Sequence, residues 1–66
     1  MADLLKNYVK EARLESNLTQ ESLAELTNVS RQTIISIERG VYQPSVGLAL
    51  KLAKVLKTNV ENLFKL

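Results

Sequence analysis

The sequence contains no cysteine, so neither a disulfide nor a thiolate metal ligand can hold the chain together. It contains no histidine either, which removes the commonest general base and the commonest metal ligand. Zinc and haem sites are therefore not expected, and no cofactor is called for. The serines and threonines are best explained as helix caps, so nothing assembles a nucleophile–base pair and the chain does not read as an enzyme. There is one proline and there are two glycines, and no alternating apolar pattern lasts beyond a few residues. That scarcity of breakers favours helix throughout. No apolar run approaches the roughly 18 residues of a membrane span, and the N-terminus lacks the features of a secretion signal. A cytoplasmic protein with no membrane role is expected.

At 66 residues the chain has room for one domain, near the lower size limit for folding without a metal, disulfides or a partner. The net charge is only +2, but it is unevenly spread. Residues 17–30 carry Glu21 and Glu25 and no basic residue, whereas Arg31 onward holds six Lys or Arg against two Glu. A basic second half permits a polyanionic partner.

The pattern along the chain is that of four to five short helices, an all-α bundle. Leu5, Val9, Ala12 and Tyr8 give a first helix an apolar face, running from Asp3 or Leu4 to about Ser16, with Asn7 among its polar residues. Leu18 precedes a candidate N-cap, Thr19, as a hydrophobic staple would. Leu23, Ala24 and Thr27 then recur at helical spacing, and the pattern breaks at Asn28-Val29-Ser30. Ser30 is a second candidate cap, Ile34 and Ile37 mark the inner face of the next helix, and Gly40 stops it. Two helices of about eight residues separated by a three-residue break fit a helix-turn-helix. Val41 to Pro44 is a loop, and Ser45 caps a fourth helix from Val46 to about Leu56 with Ala49, Leu52, Ala53 and Leu56 inward. Thr58 or Asn59 caps a last helix, Val60 to about Phe64.

The run Leu18-Thr19-Gln20, Leu23-Ala24, Val29 to Ile34, Ile37-Glu38-Arg39-Gly40 and Pro44-Ser45 resembles the lambda-repressor-like (Cro/cI, XRE-type) helix-turn-helix family of DNA-binding regulators. The likeness spans residues 5–64 as a single domain, with the motif at residues 20–39. Asn28 stands where the family often has glycine, and asparagine is the next-best residue at positive φ. The resemblance also implies a partly buried ion pair between Arg13 and Glu38.

In this docking mode the second helix of the motif, here residues 31–39, enters the major groove of double-stranded DNA. Its candidate base-reading residues are Arg31, Gln32, Thr33 and Ser36. Arginine can grip guanine and glutamine adenine, each with two hydrogen bonds, and threonine can turn its methyl toward thymine. Gln20 resembles a phosphate contact of the family, and Ser30, Arg39, Tyr42 and Gln43 are further phosphate candidates. Tyr42 in a short loop could equally cover the core. Ile35 is either partly exposed or makes an apolar base contact. Lys51, Lys54 and Lys57 read as a solvated face.

The implied function is that of a sequence-specific transcriptional regulator, a repressor acting as a homodimer on a (pseudo)palindromic operator. Leu48, Val55, Val60, Phe64 and Leu66 are the candidate interface, with Leu63 expected to close the core instead. With a single domain read in these residues, no small-molecule effector is expected. The alternative is an antitoxin-like or adaptor module that uses the same fold to bind protein, which would show no salt-dependent DNA binding.

Overall fold

Capping side chains open four of the five helices, and left-handed residues close four of them, in the computed structural model, which describes residues 5–66. The order is β1 (Lys6–Asn7), α1 (Val9–Glu15), α2 (Gln20–Thr27), α3 (Arg31–Glu38), α4 (Val46–Val55), α5 (Val60–Leu63) and β2 (Phe64–Lys65). Thr19, Ser30, Ser45 and Asn59 accept from the backbone N–H three residues on, at 2.9, 3.1, 3.2 and 3.0 Å. Each satisfies one of the orphan donors at a helix start, a contribution of about 1 kcal/mol apiece.

The helix ends share one device. Asn17, Asn28, Gly40 and Lys57 have φ of 58°, 60°, 76° and 58°. After each, the next N–H reaches back to a carbonyl five residues earlier: Leu18 to Arg13 (3.1 Å), Val29 to Ala24 (3.0 Å), Val41 to Ser36 (3.0 Å) and Thr58 to Ala53 (2.9 Å). This is the Schellman closure, which satisfies the orphan carbonyls and turns the chain sharply. Asparagine and glycine suit it. Lysine at the fourth position does not, because Cβ penalises the left-handed conformation.

The start of the chain departs from the expected helix. The expected origin at Asp3 or Leu4 lies outside the described residues, and helix begins only at Val9. Lys6 and Asn7 instead pair antiparallel with Lys65 and Phe64, and the Tyr8 N–H donates to the Leu63 carbonyl at 2.8 Å. Asn7 is not a solvated helix residue. Its side-chain amide donates to the Ile37 carbonyl at 3.0 Å, and its Oδ1 accepts from the Val9 N–H at 3.4 Å. At the other end, α5 stops at Leu63 and Phe64 joins the ladder, one residue earlier than the sequence suggests. The architecture is all-helical apart from this two-residue clasp.

The core is assembled from one face of every helix. Val9, Leu23, Ile34, Ile37, Leu52 and Leu63 are each 1% exposed or less. Burying such side chains is worth about 1.5–3 kcal/mol each, which is the main stabilising term in so small a chain. Ala24 is 3% exposed on α2, the helix that packs against α3. Thr27 is fully buried and donates its hydroxyl to the Leu23 carbonyl at 2.7 Å, so it enters the core without an unsatisfied polar atom.

Candidate nucleic-acid interface

Helix α3 is fixed from three sides before any of its outward residues come into play. Ile34 and Ile37 anchor its inner face in the core. Asn7 holds the Ile37 carbonyl near its C-terminal end. The third hold is electrostatic. Arg13 Nε lies 2.7 Å from Glu38 Oε2 and Arg13 Nη2 lies 3.2 Å from Oε1, a bidentate pair whose side chains are 9% and 4% exposed. The remaining Arg13 nitrogen donates to the Leu18 carbonyl at 2.8 Å, so the guanidinium also ties down the staple before α2. Charges this buried need a full set of partners, and among the described residues no buried side-chain nitrogen or oxygen lacks one.

Glu38 has a further partner. Gln20 Nε2 donates to Glu38 Oε1 at 3.1 Å, linking the first residue of α2 to the last turn of α3. Gln20, expected to face outward to a phosphate, is thus half-buried and committed at one amide hydrogen. Its second amide hydrogen and its carbonyl oxygen remain available beside the α2 start.

The outward residues of α3 fall into two groups. Gln32, Thr33 and Ser36 line one shallow concavity together with Ser30 and Tyr42. Within it, Ser30 Oγ and Thr33 Oγ1 are 2.9 Å apart, and Gln32 Nε2 is a weak 3.5 Å from Ser36 Oγ. Arg31 borders a different groove, with Thr19, Gln20 and Glu21 at the start of α2 and Leu14 of α1. The four base-reading candidates therefore do not share one pocket. Arg39 and Gln43 are exposed at the far end of α3 and in the loop after it. Ile35 is half-buried and so partly exposed, the first of the two sequence readings, and it lines neither recess. An eight-residue helix is about 12 Å long, comparable with the roughly 12 Å width of the B-DNA major groove.

The dimer candidates are scattered in burial. Leu48 is 9% exposed and belongs to the core with Leu52, so it offers little surface to a second chain. Val55 is half-buried against the core. Val60 and Phe64 line an apolar groove with Leu5, Pro44, Val46 and Ala49, and Leu66 is 86% exposed nearby in sequence. Val46, which the sequence placed only at the start of α4, is 78% exposed at the rim of that groove.

Sequence reasoning missed Asn7 and the Gln20–Glu38 contact. Both are side-chain bonds across 30 and 18 residues, which no local spacing reveals. No helix among the described residues is long and apolar enough to cross a membrane. No group of three or more His, Cys, Asp or Glu among them could hold a metal ion.

Comparison with known proteins agrees with this geometry. A family profile described as helix-turn-helix matches residues 9–63. An HTH-type transcriptional regulator of Methanocaldococcus jannaschii is 52% identical over 60 residues, covering 91% of each chain. The control protein C.SmaI of Serratia marcescens is 36% identical over 61 residues, covering 92% of this chain and 73% of its own. Among solved structures, the restriction-modification controller protein C.AhdI of Aeromonas hydrophila superposes with a TM-score of 0.76 at 33% identity, over 82% of each chain.

Proposed function

The chain belongs to the helix-turn-helix family of DNA-binding transcription regulators, and from that premise we propose that it is a sequence-specific repressor that reads double-stranded DNA with α3. The observation that carries the reading is the placement of Gln32, Thr33 and Ser36 side by side on the outward face of a helix locked from behind. A reading helix must present base-contacting groups without paying their ordering cost on binding, and this one is fixed by Ile34, Ile37 and Asn7.

The roles follow from reach and chemistry. Gln32 offers an amide to adenine, Thr33 and Ser36 offer short hydroxyls, and Arg31 offers a fork to guanine from the first turn. Gln20, Arg39 and Gln43 surround α3 at its ends and contact phosphates, which set register rather than sequence. Repression needs only occupancy, because a domain seated over a promoter excludes polymerase. Such a regulator works where chromosomal DNA lies, in the cytoplasm of a prokaryotic cell.

One eight-residue helix touches only a few base pairs, so specificity calls for two copies on a (pseudo)palindromic site with half-sites roughly 34 Å apart. The apolar groove of Val46, Val60 and Phe64 is the surface for that homodimer, with the exposed Leu66 two residues beyond Phe64. In vitro selection from random duplexes at physiological salt tests the reading. Enrichment of a two-fold symmetric motif is expected, and recovery of unselected sequence would overturn it.

A further inference from the structure

Tyr42 stands in the sequence as a phosphate contact, yet its surroundings are those of a base reader. The Schellman closure of α3 sends the chain back along the helix: the N–H groups of Val41 and Tyr42 both donate to the Ser36 carbonyl, at 3.0 and 3.3 Å. Gly40, at φ 76°, makes that reversal possible. Tyr42 thereby comes to wall the same concavity of about 260 Å³ that Gln32, Thr33 and Ser36 line. It remains 47% exposed after packing.

No charged side chain lines this concavity. Phosphate binding draws its strength from cations and counterion release, which this surface cannot supply. Arg31, the cation of the first turn of α3, borders the neighbouring groove with Gln20 instead. What the concavity offers is neutral: hydroxyls, one carboxamide and one aromatic ring. The Ser30 hydroxyl is already occupied, since it accepts from the Thr33 N–H at 3.1 Å and pairs with the Thr33 hydroxyl at 2.9 Å. That leaves the Gln32 amide as the freest polar reader and the Tyr42 ring as the largest apolar surface.

An A·T pair presents matching chemistry in the major groove: the N7 and amino group of adenine, and the 5-methyl group of thymine. We propose that Tyr42 is a specificity-determining residue that packs its ring against a thymine 5-methyl group, at or beside the adenine read by Gln32. The proposal rests on the reading of α3 as the DNA-contacting helix.

The test uses the full chain on a duplex recovered by in vitro selection, with each thymine replaced singly by deoxyuridine. That exchange removes one methyl and leaves base pairing intact. At one or two positions per half-site, affinity should fall about three- to fivefold, the value of one buried methyl-sized group. In Tyr42→Ala the sensitivity should vanish, and in Tyr42→Phe, which keeps the ring, it should persist. Tyr42→Asn replaces the alanine variant if that one does not fold. A duplex insensitive to deoxyuridine at every position would overturn the proposal. So would sensitivity that survives in Tyr42→Ala, or that disappears only in Thr33→Ser, which would give the methyl to Thr33. Selection of no sequence at all would instead fell the underlying reading of α3.

Discussion

Replacing Glu38 with alanine should destabilise the protein far more than replacing the exposed Glu21. Glu38 accepts three hydrogen bonds, from Arg13 Nε, Arg13 Nη2 and Gln20 Nε2, at 2.7, 3.2 and 3.1 Å. Its loss leaves the guanidinium, on a residue 7% exposed, with only the Leu18 carbonyl as a partner. Removing one member of a buried pair costs about 3–5 kcal/mol, mostly because the other charge is left stranded. A domain of this size is stable by about 3–10 kcal/mol, and each kcal/mol shifts Tm by about 4–8 °C. Glu38→Ala should therefore lower Tm by more than about 12 °C, and near the lower stability limit it does not fold at 25 °C. Glu21→Ala should change stability by no more than about 0.5 kcal/mol. The stranded-charge argument makes a second demand: Arg13→Met combined with Glu38→Leu should recover most of the loss. Urea and thermal unfolding followed by circular dichroism measure all three variants. Equal melting temperatures for Glu38→Ala and Glu21→Ala would refute the reasoning. A double variant as unstable as the single one would refute its electrostatic cause.

The remaining expectations concern backbone, core and contact chemistry. Lys57→Gly should stabilise the fold by about 0.5–1 kcal/mol, because it relieves a left-handed lysine at φ 58°. Gly40→Ala should cost about 1 kcal/mol by the same logic in reverse, since a Cβ there meets nothing within 4 Å and only the backbone resists. Denaturant titration reads both. Ile34→Ala should cost about 2–5 kcal/mol, against less than half that for the half-buried Ile35→Ala. In DNA binding, Arg39→Ala should weaken cognate and random duplexes alike and reduce the salt slope by about 1. Arg31→Ala should instead reduce discrimination between sites by about 1–3 kcal/mol. Anisotropy titrations across salt concentrations separate the two, and a uniform loss for Arg31→Ala would make it a phosphate contact.

What could be read in the sequence was local. Caps such as Thr19, Ser30 and Ser45 act over three residues, and the inward stripe of α4 recurs within two turns, so spacing alone reveals them. The Asn28 turn and the Gly40 stop were legible for the same reason, because few residues tolerate positive φ. Lys57 takes that conformation without any sign of it in its chemistry. The β1–β2 clasp was hidden because a two-residue ladder has no periodicity to detect. The leading segment carried a helical pattern, but pairing with the chain's end prevailed. Arg31 is already turned away from Gln32, Thr33 and Ser36 by the 3.6-residue period of α3, and the start of α2 supplies the other wall of its groove. Leu48 was misplaced for a related reason: an apolar arc on α4 is wider than one core face, and only packing decides which part is covered.

Whether the outward face of α3 reads sequence is decided by one competition experiment. The ratio of affinities for a selected duplex and a random duplex is measured at fixed salt for the wild-type chain and for Gln32→Ala. The wild-type ratio should be at least about 10³, and Gln32→Ala should lower it by about 1–3 kcal/mol with little change in binding to random DNA. A wild-type ratio near one, or a Gln32→Ala variant that keeps the full ratio, would mean that α3 does not read sequence through Gln32.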